Sequence, residues 1–291
     1  MSELLAIDNL HMRIGEAHIL KDVSVTVAQG ECVALVGESG SGKSMTARTV
    51  LGVQPPRAVM EGSVRMSGTE LVGASRRVIQ DVRQHRASMI YQNPRPGINP
   101  LRRVGAYIIE GVVNSGMMNK TDARTKAIDL MRAVRLKDPD SLFDRYPFQL
   151  SGGMLQRIMI VGALMNDPDL MLCDEPTTAL DVTTQAEVIA ILSDLQRSRG
   201  LGMLFITHDL DLAAAISSRA YVMYQGEIVE TGSSTAILNH PEHPYTSALI
   251  NARPTLAGPR DVRLVSVAER MAEAALLEVA PKGIAAEEVA A

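Results

Sequence analysis

The chain alternates short apolar runs with longer amphipathic stretches. Apolar runs at 32–36, 169–173 and 203–207 have the length and composition of buried strands. Residues 4–10 and 23–27 are also predicted strands, and the second of these alternates valine with polar residues. The pattern therefore predicts buried central strands and, near the N-terminus, strands with one polar face.

Amphipathic stretches follow the buried runs. Residues 43–50, 152–165 and 182–199 have the pattern of helices, and Gly200 is placed to end the last of them. Strands that alternate with helices are typical of an α/β fold with a largely parallel sheet and right-handed crossovers.

A stretch of different character interrupts this alternation. Residues 101–134 are mostly helical in pattern, and Thr121 or Asp122 is a suitable cap for a helix over 123–134. We expect a helical insert, at about 93–150, in the α/β core.

The last part of the chain differs in composition from the rest. Residues 253–291 are rich in Ala, Val and Glu, with one helical candidate over 265–277. We expect this tail to be partly helical or disordered.

Composition narrows the class of protein. The chain has 291 residues and a net charge of −4, which argues against a general nucleic-acid binder. Its two cysteines, Cys32 and Cys173, fall in predicted buried strands, as expected for free thiols in a reducing compartment. No apolar run is long enough to span a bilayer, and the N-terminus lacks the basic region of a signal peptide. We expect a cytosolic protein that would serve a membrane only from its surface.

A phosphate-binding loop lies between the first buried strand and the helix at 43–50. The segment fits G-x-x-x-x-G-K-[ST]. Its glycines let backbone N–H groups face a phosphate chain, and the helix N-terminus adds a positive dipole end. In such loops the lysine contacts the β- and γ-phosphates and the final hydroxyl contacts Mg²⁺. The candidate residues are Gly37, Glu38, Ser39, Gly40, Ser41, Gly42, Lys43 and Ser44.

Two acids end the second buried strand. In a phosphate-loop ATPase the first acid, here Asp174, helps to hold Mg²⁺. The second, Glu175, is placed to orient or deprotonate an attacking water.

A Ser-Gly-Gly run, Ser151, Gly152 and Gly153, opens the helix at 152–165. This is a second anion site by the same dipole and N–H argument. Two phosphate sites in a chain that binds one nucleotide suggest that one of them serves a neighbouring subunit. The segment Leu150–Arg157 resembles the signature motif of the ATP-binding cassette (ABC) superfamily.

The resemblance covers about residues 4–252 and supplies further roles. It implies that Gln92 is the Q-loop glutamine, near Mg²⁺ and the water, that 179–181 (Ala-Leu-Asp) is the D-loop with Asp181 at the nucleotide, and that His208 is the switch histidine. It also implies that two cassettes pack head to tail, each ATP lying between one phosphate loop and the other signature.

The fold implied is a P-loop NTPase of the ABC type over 1–252. It would have a mostly parallel core sheet, an antiparallel β subdomain and the helical insert. Two positions depart from the family: Met154 stands in the signature where glutamine is commonest, and Ile14 where an adenine-stacking aromatic is usual. Because aromatic–base stacking is worth ~1–3 kcal/mol, nucleotide affinity could be weaker here.

Other segments resemble the ATPases of oligopeptide, dipeptide and nickel importers. They are Tyr91–Pro94, Asn99–Leu101, Tyr146–Gln149 and Pro241–Thr246. The last could also be a plain Pro-rich surface loop. Many peptide-importing relatives carry a C-terminal cysteine cluster that resembles an iron–sulfur site. No cysteine follows Cys173, so no such cluster is expected.

The resemblance implies an ATP-hydrolysing, energy-coupling subunit of an importer for peptides, or alternatively for nickel or a metal chelate. Its partners would be a second ATPase subunit (self or paralogue), two integral membrane permeases and, indirectly, an external substrate-binding protein. It would sit peripherally on the cytoplasmic face of the inner membrane, without nucleic acid. A soluble ABC ATPase acting on DNA or ribosomes fits poorly, because the insert is short and only one cassette is present.

The loop at 93–101 has a predicted role of its own. It is rich in Pro and Gly, follows Gln92 and opens the helical insert. We expect it to report nucleotide state to the permeases, although a stiff connector would have the same composition.

Overall fold

The structure is a computed structural model that describes residues 3–178 and 180–252. Two sheets, flanked by helices, make up this part of the chain. The strands are β1 (Glu3–Ile14), β2 (Ala17–Ala28), β3 (Cys32–Val36), β4 (Ala58–Met66), β5 (Thr69–Glu70), β6 (Ala87–Ile90), β7 (Leu170–Asp174), β8 (Gly202–Thr207), β9 (Arg219–Tyr224) and β10 (Glu227–Ser233).

Helices connect most of these strands, and a short 3-10 helix spans Pro147–Gln149. None of the helices in the described ranges is long and apolar enough to cross a membrane. The α-helices are α1 (Lys43–Val50), α2 (Arg76–His85), α3 (Pro94–Gly97), α4 (Val104–Asn114), α5 (Lys120–Ala133), α6 (Pro139–Phe143), α7 (Gly152–Leu164), α8 (Val182–Arg199), α9 (Leu210–Ile216), α10 (Ser234–Asn239) and α11 (Pro244–Asn251).

The core sheet has the strand order β10-β9-β3-β8-β7-β6. All neighbours are parallel except β10, which pairs antiparallel with β9. Every residue of β3, β7 and β8 is buried, as expected for strands covered on both faces. The predicted α/β fold with a mostly parallel core sheet is confirmed.

The second sheet is antiparallel, with the order β2-β1-β4-β5. Its inner face, including Leu5 and Ile7, packs on Leu35, Leu172 and Ile206 of the core sheet. The antiparallel subdomain implied by the resemblance is therefore present, and it covers one face of the core.

The helices that follow β6 pack on α7 and cover the opposite face. One continuous apolar cluster joins Ile108 and Met131 of these helices, Leu155 of α7, and Cys173 and Phe205 of the core strands. The helix that the Ser-Gly-Gly run opens thus lies between the helical insert and the sheet.

Three local predictions were wrong. Strand β2, predicted over 23–27, begins at Ala17. Strand β1 continues to Ile14 rather than ending at residue 10, because a register shift with Asn9 at a φ of 46° breaks the alternation of side chains. Helix α5 is capped by Asn119, whose side chain accepts a hydrogen bond from the backbone N–H of Asp122. The predicted caps, Thr121 and Asp122, lie inside the first turn.

Three helices, α2, α10 and α11, lie where the sequence predicted none. Helix α2 begins after Ser75, which caps it, and has one buried residue, Val82. Val78, Ile79 and Val82 form an apolar stripe that packs on the core, so periodicity could have predicted this helix. The tail predicted for 253–291 lies outside the described residues.

Candidate functional site

The phosphate loop runs from the end of β3 into α1, as the motif predicts. Gly37 lies against the backbone carbonyl of Met223 in β9, where a Cβ would collide. Gly42 caps α1 with a φ of 111°, a conformation that favours glycine. Ser39 and Gly40 are exposed at the tip of the loop. The loop is thus held close to the sheet at its base and open at its tip.

Lys43 is buried beneath this loop. Its Nζ donates hydrogen bonds to the carbonyl oxygens of Gly37 at 2.8 Å and Glu38 at 2.7 Å. Burial lowers the pKa of the ammonium, while the carboxylates of Glu175 and Asp174 act in the opposite direction. The cation is therefore fixed where a phosphate chain would meet the loop.

Asp174 ends β7 beside the first turn of α1. Its Oδ1 accepts a hydrogen bond from Ser44 Oγ at 2.7 Å. Burial raises the pKa of the Asp174 carboxyl, and the Ser44 bond opposes that shift. A carboxylate and a hydroxyl at this distance are oxygen donors of the kind that Mg²⁺ prefers together with substrate phosphates. Within 3–178 and 180–252, no group of three or more His, Cys, Asp or Glu could hold a metal by itself.

Three side chains converge on a single oxygen of Glu175, its Oε2. Gln92 Nε2 lies at 2.9 Å, Thr178 Oγ1 at 2.8 Å and His208 Nδ1 at 3.4 Å. The Glu175 side chain is 11% exposed, against 56% for His208. The structure thus brings together the three residues predicted to be catalytic, from the ends of β6, β7 and β8.

Glu175 itself has a left-handed backbone, with a φ of 45°. Such a conformation costs a non-glycine residue about 1–3 kcal/mol and persists where the surroundings fix it. Here its backbone N–H donates to the carbonyl of Ile206 at 3.0 Å. Sequence reasoning missed Thr178; its only signal was a hydroxyl three residues after the predicted catalytic acid.

The signature segment opens α7. Ser151 caps this helix, its Oγ accepting a hydrogen bond from the Met154 N–H at 3.3 Å. Gly153 packs on Thr184 of α8, and a Cβ at this glycine would collide with the Thr184 methyl group. The Gly152 position lies near Leu180. The signature is therefore packed on the start of α8.

Asp181 caps α8. It accepts hydrogen bonds from Thr184 N at 2.9 Å and Thr184 Oγ1 at 2.7 Å, and these bonds lower the pKa of its carboxyl. Ala179 of the predicted D-loop lies outside the described residues. In the described ranges, no hydrogen bond joins Ser151, Gly152, Gly153 or Asp181 to the phosphate loop.

Ile14, where the family has an aromatic residue, ends β1. It pairs with Ala17 of β2 and Ala58 of β4, at the edge of the antiparallel sheet. Leu20, further along β2, packs on Gly42 of the phosphate loop. The antiparallel sheet thus contacts the phosphate loop through Leu20.

Two family models match the sequence. The model described as ABC transporter matches residues 20–178, more than half of the chain. A second model, described as the oligopeptide/dipeptide transporter C-terminal region, matches residues 229–280.

Curated relatives match most of the chain. The dipeptide transport ATP-binding protein DppD of Escherichia coli (strain K12) is 41% identical over 269 residues, covering 91% of this chain and 82% of that protein. The oligopeptide transport ATP-binding protein OppD of Bacillus subtilis (strain 168) is 38% identical over 255 residues, covering 87% and 71%.

Solved structures share the fold. The dimeric post-hydrolysis structure of the ATP-binding cassette MJ0796 with ADP and Pi has a TM-score of 0.69 at 25% identity, covering 79% of this chain and 98% of that one. CbiO1 of Clostridium perfringens, part of the ABC transporter complex cbiONQ, has a TM-score of 0.72 at 23% identity, covering 82% and 92%. With the phosphate loop, the acidic pair and the signature in place, the chain belongs to the ABC transporter family, as an ATP-binding, ATP-hydrolysing subunit.

Proposed function

We propose that this chain energises an importer of peptides by binding Mg²⁺–ATP between two cassettes and hydrolysing it with Glu175. The observation that carries the proposal is the convergence of Gln92, Thr178 and His208 on Glu175, next to the bonded pair of Ser44 and Asp174. Mg²⁺ would supply charge neutralisation on the phosphates and a fixed position for them.

Residues of the phosphate loop hold the triphosphate. Lys43 is bonded to loop carbonyls and can turn to the β- and γ-phosphate oxygens without leaving its buried position. Ser44, Asp174 and Gln92 would hold Mg²⁺ through their hydroxyl, carboxylate and amide oxygens. Backbone N–H groups over 37–44 surround the phosphates.

Glu175 is the general base. Gln92 and Thr178 donate hydrogen bonds to Oε2 and His208 contacts it, and no residue in the described ranges donates a hydrogen bond to Oε1. An oxygen left with free lone pairs can take the proton of an attacking water, while the other oxygen fixes the carboxylate plane. His208, Gln92 and Thr178 thus orient the base, and His208 is also placed to sense the γ-phosphate.

The other half of each site comes from a second cassette. Ser151, Gly152 and Gly153 open a helix N-terminus that carries partial positive charge, and no phosphate loop of the same chain bonds to it. The proposed arrangement is head to tail, with Asp181 beside the opposing site. The ATP-binding domain spans 1–252 in this proposal, with the helical insert at about 93–150.

The transported solute is proposed to be a peptide. This rests on the match to the oligopeptide/dipeptide C-terminal region and on relatives named for dipeptide and oligopeptide transport. Nickel or a metal chelate is the alternative. The partners are a second ATPase subunit, two permeases and, indirectly, an external substrate-binding protein. The chain acts peripherally at the cytoplasmic face of the membrane, without nucleic acid and without an iron–sulfur cluster.

Two exposed apolar side chains of the helical insert support permease docking. Leu101, at the end of the loop after Gln92, is 84% exposed, and Phe148 is 72% exposed. Ile98 of the same loop is 1% exposed and belongs to the insert's core. Replacing Leu101 with Glu should therefore abolish permease-stimulated hydrolysis while ATP binding survives. A charge at Ile98 would test folding instead.

The test is reconstitution with the partner cassette and two permeases in vesicles. We expect ATP-dependent uptake of a labelled dipeptide when its binding protein is present, and loss of uptake with Glu175→Gln. Uptake of nickel without peptide competition would support the alternative solute. ATP hydrolysis without uptake of either solute, in a complex that contains both cassettes and both permeases, would contradict the importer assignment.

A further inference from the structure

The His-Pro-Tyr-Thr element forms the start of α11 and is fixed from two sides. His243 caps the helix, its Nδ1 accepting a hydrogen bond from the Tyr245 N–H at 3.1 Å, and Pro244 occupies the first turn. The carboxylate of Glu230, in β10, accepts hydrogen bonds from the N–H groups of Glu242 at 3.0 Å and His243 at 3.1 Å. The element is therefore not a plain surface loop, since its backbone donors are bound to the sheet.

Tyr245 points from this helix to the phosphate loop. Its side chain is fully buried, and its ring packs on Tyr224 with centroids 4.2 Å apart. Its hydroxyl oxygen accepts a hydrogen bond from the backbone N–H of Glu38 at 3.0 Å. This bond joins residues that are 207 positions apart in the sequence.

The Glu38 residue connects the tyrosine to the catalytic lysine. Its N–H is bonded to Tyr245, and its carbonyl accepts the 2.7 Å hydrogen bond from Lys43 Nζ. A change in the backbone of Glu38 would therefore alter both contacts. Glu38 is exposed, and its carbonyl also accepts a hydrogen bond from the Ser41 N–H at 3.2 Å.

Strand β9 and the turn between β9 and β10 also contact the phosphate loop. The N–H of Gly226, in the turn between β9 and β10, donates to the carbonyl of Ser41 at 2.9 Å. Gly37 lies against the carbonyl of Met223 at the end of β9. Residues after 220 thus contact the loop at its first, second and fifth positions.

We propose that Tyr245 is a positioning residue for nucleotide: its phenol oxygen holds the Glu38 backbone, and through it Lys43, in the geometry that receives the phosphates of ATP. The proposal rests on the proposed function of the phosphate loop and adds a residue outside the motifs of the ATPase core. It also gives the C-terminal element a role in the ATP cycle, because a displacement of α11 would reach Lys43 through one backbone unit.

The protonation state of the phenol should not vary in the working range. Burial raises the pKa of Tyr245 to about 12, so the group stays neutral at physiological pH. A neutral phenol accepts the Glu38 hydrogen bond equally well throughout that range. The contribution of Tyr245 to ATP affinity is therefore expected to be independent of pH between about 6 and 9.

The experiment compares Tyr245→Phe with Tyr224→Phe in the purified full-length chain. Each change removes one hydroxyl from the same ring pair, and only Tyr245 contacts the phosphate loop. The measurements are the Kd for Mg²⁺–ATP by calorimetry and the Tm without nucleotide. We expect Tyr245→Phe to raise the Kd for Mg²⁺–ATP about three- to tenfold, which corresponds to the loss of about one net hydrogen bond. The ratio of the variant Kd to the wild-type Kd should be the same at each pH. Tyr224→Phe should leave the Kd unchanged.

Thr246→Val is a second control in the same turn, because the Thr246 hydroxyl is buried without a hydrogen-bond partner. It should leave the Kd at the wild-type value. An unchanged Kd in Tyr245→Phe, with or without a lower Tm, would overturn the positioning role. Failure of the wild-type chain to bind ATP, with Lys43→Ala as the binding-deficient reference, would instead count against the proposed function.

Discussion

The phosphate loop and the signature segment are both predicted anion sites at helix N-termini, but they are built differently. The phosphate loop contacts three separate parts of the chain: β9 through Gly37, α11 through Glu38 and the turn at Gly226 through Ser41. The signature has a local cap at Ser151 and one tight contact. The first site is therefore preorganised within one chain.

This difference bears on which part of an ATP site each cassette would supply in the proposed dimer. A loop that is held on several sides can bind a phosphate chain without a partner, because the entropy cost of ordering the loop has already been met when the chain folds. In the proposed dimer, the helix N-terminus at the signature would complete an ATP site on the other cassette. Variants on the two segments should accordingly separate ATP binding from hydrolysis.

The largest expected effect is the loss of ATP hydrolysis when Glu175 is replaced. Glu175→Gln removes the base but keeps the side-chain shape, so turnover in the assembled complex should fall by ~10²–10⁴-fold. ATP should still bind and hold the cassette dimer closed. The measurement is phosphate release beside gel filtration with ATP, in a complex whose partner site is silenced.

Lys43→Ala is the contrasting variant. It removes the cation that Gly37 and Glu38 hold, so both ATP-dependent dimer closure and hydrolysis should be lost. Near-normal turnover in Glu175→Gln, or closed dimers in Lys43→Ala at ordinary ATP concentrations, would contradict the assigned roles.

A smaller effect is expected on the signature side. In Gly153→Ala the added methyl collides with Thr184, so the start of α7 must shift. Overpacking of this kind costs about 1–3 kcal/mol, and we expect hydrolysis by the dimer to fall by about tenfold or more. ATP binding by the separate chain should not change, because the phosphate loop is untouched.

Gly111→Ala is the matched control for that change. It also lies in a helix, and its Cβ would meet nothing within 4 Å. The second change Thr184→Ser removes the colliding methyl and should restore activity to Gly153→Ala. Equal losses in both glycine variants would show that the signature contact is not responsible.

The smallest expected effect is a dependence of ATP affinity on pH. Burial raises the pKa of Asp174, and Mg²⁺ competes with the proton for this carboxylate. As pH falls through that raised pKa, the Mg²⁺-dependent part of ATP affinity should decline, at a higher pH than an exposed aspartate would cause. Calorimetric titrations from about pH 8 to 5, with Mg²⁺ or with a chelator, measure this part. An equal pH dependence in both series would contradict a metal role for Asp174.

Much of the fold and the core of the site could be predicted because they are local. The strand at Cys32–Val36 and the helices Lys43–Val50 and Val182–Arg199 have the predicted bounds, since each carries its own apolar pattern and stop residue. The residues of the phosphate loop follow one another in sequence, and so do the two acids. The chemistry of each motif can therefore be predicted without the fold.

Several contacts were decided only in three dimensions. Thr178 joins Glu175 because the chain turns back after β7, where Glu175 takes a left-handed φ. Tyr245 meets Glu38 because β9, β10 and α11 return the chain to the loop after some 207 residues. Periodicity and motif spacing report on neighbours along the chain. A hydrogen bond between distant segments has no such signature, so its partners are set by strand order and helix packing.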